Sequence, residues 1–321
     1  MLDASQSNGA VLLIVFNRPA TTARVFEAIR RARPPRLYVA ADGPRSAKSG
    51  EADVCNEVRR IVSEIDWPCE FKTLFRDVNL GCKQGVSGAI DWFFSEEEEG
   101  IILEDDCVPS PSFFRFAEEL LIRYRDDERI TTISAQHFHG ATHTPPQSYF
   151  YSRYGHCWGW ATWRRAWKDY DGNMSLWPSL RSTNWLRELG GGRRSFERYW
   201  CGIFDLCSAG RIDSWAYPWT FSCWTQNGLS ILPGRNLVTN IGFGDGATHT
   251  KQGDDRWASL PLEELTFPLE HPPARVRDSW ADSWTDRHVF GMPRGPTLPR
   301  EVLRLGKKQL RRFLTSKPPS S

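Results

Sequence analysis

Short apolar segments alternate with helical patterns along the first 140 residues of the chain. The helical patterns repeat apolar residues three and four positions apart, as at Phe114, Ala117 and Leu121. Continuous apolar runs of this length are typical of strands that are buried on both faces of a parallel sheet. The runs are AVLLIVF (10–16), RLYVAA (36–41), EFKTLF (70–75), GIILE (100–104) and ITTIS (130–134). The alternation predicts an α/β fold, a mostly parallel sheet flanked by helices.

The composition changes after about residue 145. Residues 149–224 contain ten of the fifteen tryptophans, and the chain beyond residue 251 is rich in proline. Tryptophan and tyrosine can fill an irregular core, or they can stack on the apolar faces of a ligand in a groove. We therefore divide the chain into an α/β half (1–145), a tryptophan-rich half (146–250) and an extended tail (251–321).

Charge and cysteine usage exclude several classes of protein. Lys and Arg total 41 against 39 Asp and Glu, so there is no basic excess for nucleic acid, which we do not expect as a partner. The eight cysteines form no CxxC pair, which argues against a zinc ribbon or a redox motif. No leader pattern begins the sequence, and no apolar run approaches the roughly 20 residues of a membrane span. We expect a reduced, cytoplasmic protein.

Polar residues follow each predicted strand at its carboxyl end. The first four strands end in NRP (17–19), DGPR (42–45), RDVNLGCKQG (76–85) and EDD (104–106). Because ligands bind at the carboxyl ends of parallel strands, these segments are expected to converge on one edge of the sheet. Taken singly, each could also be an ordinary cap or turn.

Three adjacent acids, Glu104, Asp105 and Asp106, are the strongest candidate for chemistry. Adjacent carboxylates repel one another, and Mg²⁺ or Mn²⁺ prefers such oxygen ligands together with substrate phosphates. The alternative is a solvated turn before a helix that starts at Pro111 after Ser110. The chain has neither GxGxxG after the first strand nor a P-loop motif, so a phosphate would be held mainly through a metal. Basic residues available to a diphosphate are Arg18, Arg45, Arg76 and Lys83.

The segment IILEDDCVPSPSFFRF (101–116) resembles the donor site of GT-A glycosyltransferases, in particular bacterial members related to the N-acetylglucosaminyltransferase I type. VFNRP (15–19), DGP (42–44) and GHCWGWATWRRAW (155–167) add to the resemblance, which covers roughly residues 10–250. It implies a GT-A fold and a metal-dependent, inverting sugar transfer from a nucleotide diphosphate sugar. Uracil is the commonest base in that family.

The resemblance also implies roles for individual residues. Asp106 would bind Mn²⁺ or Mg²⁺ together with the two phosphates of the donor. The implied donor-binding residues are Arg18 (base or phosphates), Asp42 (base), Lys83 (phosphate or sugar), Glu104 (sugar) and Asp105 (ribose or sugar). The half 1–145 would then bind the nucleotide sugar, and the half 146–250 would bind the acceptor and carry the catalytic base.

Asp213, in the segment GRIDSWAYPWTFSCW (210–224), is the predicted catalytic base. A carboxylate beside aromatic rings can take a proton from an acceptor hydroxyl, and the resemblance points to this segment. The family has two adjacent acids where this chain has Asp213 and Ser214, and Asp213 could instead be a cap. Asp205 and Glu197 are the reserve candidates, and Trp158 and Trp160 are the predicted acceptor-binding rings.

His249 follows a glycine-rich loop and is the second predicted metal ligand. In many GT-A enzymes a histidine after the last core strand reaches the metal or the phosphates, and His156 is the weaker alternative. A lone histidine is more often an ordinary surface or core residue. Further along, EVLRLGKKQLRRFL (301–314) predicts a basic amphipathic helix that either contacts a membrane surface peripherally or packs on its own domain.

Together these observations predict an enzyme that moves a sugar from a nucleotide diphosphate sugar to a hydroxyl of a glycan, a lipid-linked acceptor or a cell-surface polysaccharide. A sugar nucleotidyltransferase is the same-fold alternative, although it usually needs a glycine-rich basic loop after the first strand, where this chain has NRPATTAR (17–24). A carbohydrate-binding protein without catalytic activity is the alternative from another class.

Overall fold

The computed structural model describes residues 9–243, 257 and 260–293. Ten strands lie in these ranges and form two sheets. The strands are β1 (Ala10–Val15), β2 (Arg36–Ala41), β3 (Glu70–Phe75), β4 (Glu99–Glu104), β5 (Cys107–Pro109), β6 (Ile130–Ser134), β7 (Tyr149–Ser152), β8 (Trp160–Trp163), β9 (Leu229–Pro233) and β10 (Val238–Asn240). The five predicted strands are confirmed as β1, β2, β3, β4 and β6.

The main sheet has eight strands in the order β3-β2-β1-β4-β8-β6-β9-β7. Strands β3, β2, β1 and β4 are mutually parallel, and β6 is parallel to β9. Strand β8 is antiparallel to both of its neighbours, and β7 is antiparallel to β9. The predicted α/β architecture with a mostly parallel sheet is therefore confirmed. Strands from 146–250 share this sheet with strands from 1–145.

Helices cover both faces of the sheet. In the described ranges they are α1 (Pro19–Ala32), α2 (Glu51–Ser63), α3 (Gly81–Glu96), α4 (Pro111–Arg123), α5 (Arg164–Trp167), α6 (Trp177–Leu180), α7 (Trp185–Leu189), α8 (Arg194–Ser208), α9 (Ala216–Thr225) and α10 (Ser279–His288), with a short 3-10 helix at Gly140–Thr142. Pro19 and Pro111 each open a helix, where the missing N–H of proline costs no hydrogen bond. None of the described helices has the length and apolar character required to cross a membrane.

Alternating side chains of the central strand β1 point to two separate cores. Val11, Leu13 and Val15 pack with α1 and α4 on one face, whereas Leu12 and Ile14 pack with α3, α8 and α9 on the other. The tryptophan-rich segment fills mainly the second core. Of its ten tryptophans, all but Trp158 and Trp185 are buried, so most of these rings are core residues.

Candidate functional site

The three adjacent acids lie where β4 ends at the edge of the sheet. Glu104 is the last residue of β4 and pairs with Ile14 of β1. Asp105 and Asp106 form the turn into β5, which pairs with β10 in the small sheet. The N–H of Ile241 donates to the carbonyl of Asp106 at 2.8 Å. Two sheets therefore fix the backbone on either side of the two aspartates.

Arg18 contacts both aspartates. It is the last residue before α1, and its guanidinium binds Asp105 and donates to Asp106 Oδ2 at 2.8 Å. The N–H of Phe16 donates to the other oxygen of Asp105 at 3.3 Å. Burial disfavours the charge on Arg18, but the two carboxylates outweigh burial and raise its pKa. The sequence predicts a divalent metal ion for these acids, and in the structure Arg18 is the cation that contacts two of them.

Glu104 adds a third acid beside the two that Arg18 binds. Burial, and then the charges of Asp106 and Asp105, raise the pKa of Glu104 to about 8, so this side chain is largely protonated at neutral pH. Burial also raises the pKa of Asp105, although Arg18 opposes this effect. A further cation bound beside the turn would favour the ionised form of Glu104, in which three negative charges face the single charge of Arg18.

Both carboxylate oxygens of Asp106 have partners in the chain. Its side chain is 15% exposed, and Oδ1 lies 3.4 Å from the amide nitrogen of Asn240 and 3.2 Å from the Cys107 thiol. Oδ2 is the oxygen that Arg18 occupies, so a cation on that oxygen requires Arg18 to move aside. Carboxylate oxygens with space for substrate phosphates are what Mg²⁺ and Mn²⁺ need.

The backbone at Gly242 passes directly over this arrangement. A Cβ built on Gly242 would lie 2.1 Å from Asp106 Oδ2 and 2.7 Å from the nearer Arg18 nitrogen. No side chain fits at that distance, so a glycine is required for the close approach. The N–H of Gly242 donates to the Asn240 side chain at 2.8 Å, which holds the strand end in place. Sequence reasoning missed Asn240 and Gly242, although both stand in NIGFGDGATH (240–249), the glycine-rich segment that ends at His249.

Asp42, which is predicted to contact the nucleotide base, binds the loop after β3 through hydrogen bonds. Its carboxylate accepts hydrogen bonds from the N–H of Leu80 at 3.0 Å and the amide of Asn79 at 2.9 Å. Burial raises the pKa of Asp42, while the hydrogen bond from Leu80 works in the opposite direction. The structure thus gives Asp42 a positioning role at the same edge of the sheet.

Asp213 caps helix α3 from a distant part of the chain. Its carboxylate accepts the N–H of Cys82 at 3.0 Å and that of Lys83 at 2.9 Å. After burial, the charges of Glu104 and Asp213 are the largest causes that raise the pKa of the Cys82 thiol to about 12. The Cys82 thiol is therefore close enough to both carboxylates for their charges to affect it, so Asp213 lies near the acidic turn.

The two predicted acceptor rings have different surroundings. Trp158 is partly exposed and meets Phe138 and Phe243 edge-on, with ring centroids 5.4 and 5.5 Å away. Phe243 follows Gly242, so Trp158 adjoins the acidic turn. Trp160 is only 1% exposed and stacks on Trp215. The placement of Trp160 does not agree with direct acceptor binding, because the ring belongs to the core beneath the sheet.

Other predicted residues are engaged elsewhere or lie outside the described ranges. Among the four basic candidates, Arg45 binds Glu51 and Arg76 donates to the carbonyl of Gly85 at 3.0 Å. In the described ranges, Arg18 alone of the four contacts an acid of the turn, and the Lys83 side chain is partly exposed.

The reserve bases and the histidines complete the placement of the predicted residues. Asp205 and Glu197 lie on α8 in ion pairs with arginines. His156 is buried beside Phe138. His249 and the basic segment 301–314 lie outside the described residues.

Comparisons with known proteins identify no family for this chain. No family model matches the chain, and no curated protein matches it. One similar solved structure is UDP-glucose pyrophosphorylase complexed with UDP-glucose, at 10% identity and a TM-score of 0.25. The match covers 45% of this chain and 62% of that chain, which is less than two thirds of its length. A similarity of this size does not decide which reaction the site performs.

Proposed function

We propose that this protein is an enzyme that binds a nucleotide diphosphate sugar at the acidic turn and transfers the sugar to an acceptor hydroxyl. The observation that carries the proposal is the run of three adjacent acids at the carboxyl edge of the sheet, two of which bind a single arginine. A divalent cation would be favoured beside these acids, and the arginine matches a phosphate. This combination suits a ligand that is a metal-bound diphosphate.

Asp106 would hold the Mn²⁺ or Mg²⁺ ion, which supplies electrostatic stabilisation of a diphosphate when it is bound. Arg18 would turn its planar guanidinium to the phosphate oxygens, because the two nitrogens that donate to one oxygen of Asp105 and one oxygen of Asp106 can donate in the same way to a phosphate. Glu104 and Asp105 would face the sugar and ribose hydroxyls. Asp42 would hold the loop after β3 against the nucleotide base. UDP is the first nucleotide to test.

Asp213 would act as the base in the transfer. The acceptor oxygen bonds to the anomeric carbon as the bond from that carbon to the diphosphate oxygen breaks, and the acceptor proton passes to the carboxylate. A carboxylate has about four lone-pair positions, and the two hydrogen bonds from α3 leave the others free. Attack from the face opposite the diphosphate gives inversion, in line with the resemblance.

Trp158 would stack on the acceptor at the mouth of the site, since it is the partly exposed ring beside Phe243. A glycan or a lipid-linked sugar offers the flat apolar face that such a ring binds. His249 as a second metal ligand and the segment 301–314 as a peripheral membrane contact remain predictions, as does the cytoplasmic location.

Two other functions use the same residues differently. A sugar nucleotidyltransferase would transfer a nucleotidyl group from a nucleoside triphosphate to a sugar phosphate at this edge and release pyrophosphate. The segment between β1 and α1 here is Phe16-Asn17-Arg18 and contains no glycine-rich loop. A carbohydrate-binding protein would need only the aromatic surface around Trp158.

The test is product analysis with a panel of nucleotide sugars and Mn²⁺, using the full chain, Asp106→Asn and the exposed-site control Asp126→Asn. Release of nucleoside diphosphate that is lost in Asp106→Asn and kept in Asp126→Asn supports sugar transfer. Formation of nucleoside triphosphate from added pyrophosphate would assign the nucleotidyltransferase reaction instead. Glycan binding without nucleotide binding would assign the carbohydrate-binding function. Absence of nucleotide-diphosphate binding by calorimetry, with and without Mn²⁺, would remove both enzymatic functions.

A further inference from the structure

Three histidines that the sequence analysis did not single out form a compact cluster after β6. His137 and His139 follow the strand, and His143 follows the 3-10 helix, in the segment HFHGATH (137–143). One potential ligand atom from each side chain lies within 4.8 Å of the other two. His137 and His139 are 2% and 3% exposed, and His143 is partly exposed. Three imidazoles so close together are a typical ligand set for a transition metal.

Hydrogen bonds fix which nitrogen carries the proton in two of the rings. The Nε2 of His139 lies 3.1 Å from the carbonyl of Ala281, and the Nε2 of His143 lies 2.8 Å from Asp278 Oδ2. Because a carbonyl and a carboxylate accept hydrogen bonds, both Nε2 atoms carry the proton. The Nδ1 atoms of His139 and His143 are then lone-pair donors, and neither has a hydrogen-bond partner in the described part of the chain.

His137 is the least satisfied of the three. Both of its ring nitrogens are buried, and neither makes a hydrogen bond of normal geometry among the described residues, although the backbone of Pro233 and Gly234 lies close to the ring. Buried polar atoms are normally paired, so a ring without such a hydrogen bond beside two other imidazoles needs an explanation.

Aromatic side chains hold the three rings in place. Phe150 contacts all of them, with centroid distances of 5.9, 5.7 and 4.6 Å to His137, His139 and His143. Trp280 stacks on His143 at 5.2 Å and is itself 46% exposed. The cluster is thus packed on its inner side and lies close to the surface on the side of Trp280, from which an ion could enter.

We propose that His137, His139 and His143 bind one Zn²⁺ ion, with water as the fourth ligand. Tetrahedral zinc places ligand nitrogens about 3.3 Å apart, which small rotations of the three rings would achieve. Asp278 and Ala281 supply the outer hydrogen bonds that orient metal-bound histidines. The ion would fasten the segment 137–143 to α10. This nitrogen site selects a softer metal than the oxygen site at Asp106.

The proposal is tested by titrating the full chain with Zn²⁺ and with the coloured substitute Co²⁺. The background is Asp106→Asn with His249→Gln, which removes the other predicted metal ligands, so that the outcome is independent of the proposed enzymatic function. We expect one equivalent of Co²⁺ to give the visible absorption of a tetrahedral site, Zn²⁺ to displace it, and Zn²⁺ to raise Tm. Binding of less than half an equivalent would overturn the proposal.

His137→Gln and His143→Gln are the test variants, and His271→Gln, a half-buried histidine next to Tyr149, is the matched control. Each test variant is expected to weaken Zn²⁺ binding at least tenfold and to abolish the tetrahedral Co²⁺ spectrum, while the control keeps both. Should His137→Gln fail to fold, His143→Gln decides the matter, because its side chain is nearer the surface. Unchanged affinity in a folded variant would show that the histidines are not the ligands.

Discussion

Arg18 is the residue that determines the charge of the acidic turn. It is quarter-exposed, whereas the Asp105 side chain that it binds is 4% exposed. Removing a partner from a buried ion pair leaves the other charge in a poorly solvated position. The arginine therefore supports the fold in the free protein, and in the proposed function it would also bind a phosphate of the ligand.

We predict that Arg18→Gln lowers the free energy of unfolding by about 2–3 kcal/mol, less than the about 3–5 kcal/mol of a fully buried pair because Arg18 is partly exposed. Mn²⁺ should restore part of the loss, since the cation replaces the missing charge. Urea denaturation with and without Mn²⁺ measures both effects. The exposed neighbour on the same helix, Arg24→Gln, should change stability by less than about 0.5 kcal/mol. An equal effect of Mn²⁺ on both variants would contradict the charge argument.

At the scale of elements, loops at the carboxyl edge of the sheet are tied together by carboxylates. Glu51, at the start of α2, accepts the side-chain amide of Asn17 at 2.9 Å and the N–H of Arg45 at 2.7 Å. The segments after β1 and β2 are thereby joined to α2. The hydrogen bonds of Arg45, with burial opposing them, lower the pKa of Glu51 to about 2.

This shift predicts a pH dependence of stability. The pKa of Glu51 is lower in the folded protein than its ordinary value of 4.5, so the unfolded chain binds more protons between these two values. The contribution of Glu51 is therefore complete above pH 4.5 and is lost as the pH falls toward 2. Glu51→Gln should cost about 1–3 kcal/mol at pH 7 and progressively less in acid. Urea unfolding of the wild type, Glu51→Gln and the exposed control Glu57→Gln across this range tests it; a cost that does not change with pH would refute it.

Asp213 accepts two N–H groups of the first turn of α3, and one substitution can separate this capping role from its proposed role as the catalytic base. Asp213→Asn keeps one hydrogen-bond acceptor, so we expect a loss of about 0.5–1 kcal/mol in stability. If the carboxylate is the base, sugar transfer should fall by a factor of about 10²–10⁴. Tm and turnover of Asp213→Asn are compared with those of Glu197→Gln on α8. If activity falls no more than the amount of folded protein does, Asp213 caps α3 and is not the catalytic base.

The sequence predicts those elements whose pattern is local. Strands such as β1 and β4 are buried on both faces, so a continuous apolar run identifies each of them. The insertion of β8 between β4 and β6 follows from a return of the chain after residue 146, which no local pattern encodes. The prediction that Trp160 binds the acceptor was wrong because a tryptophan in a core and a tryptophan in a groove have the same local sequence pattern.

The acids of the site could be found because strand ends collect on one edge, but their partners could not. Asp213 reaches Lys83 across 130 positions, and Asn240 reaches Asp106 across 134. Each of these pairs is set by tertiary packing. The histidine cluster had a readable signal in its close spacing, HxHxxxH, and became evident only when burial showed that its nitrogens lack partners.

At the scale of the molecule, α10 joins parts of the chain that are far apart in sequence. Asp282 is fully buried and accepts hydrogen bonds from Ser152 at the end of β7 and from Arg153. Asp286, also fully buried, binds Tyr154 and Arg193. Burial raises the pKa of Asp282, and the charge of Arg153 is the largest effect that opposes it. Removing any single member of such a buried ionic cluster is strongly destabilising.

Substituting Asp282 tests whether α10 is an integral part of the fold. Asp282→Ala leaves Arg153, which is 4% exposed, without its main partner, and we expect a loss of about 3–5 kcal/mol in the free energy of unfolding. Because α10 also carries Ala281, which orients His139, the same variant should bind Zn²⁺ more weakly although it retains all three histidines. Urea denaturation and Co²⁺ titration of Asp282→Ala and Ser283→Ala measure the two effects. Equal stability of the two variants would mean that α10 only rests on the surface of the domain, whereas a selective loss in Asp282→Ala would show that this helix holds the sheet edge and the histidine cluster together.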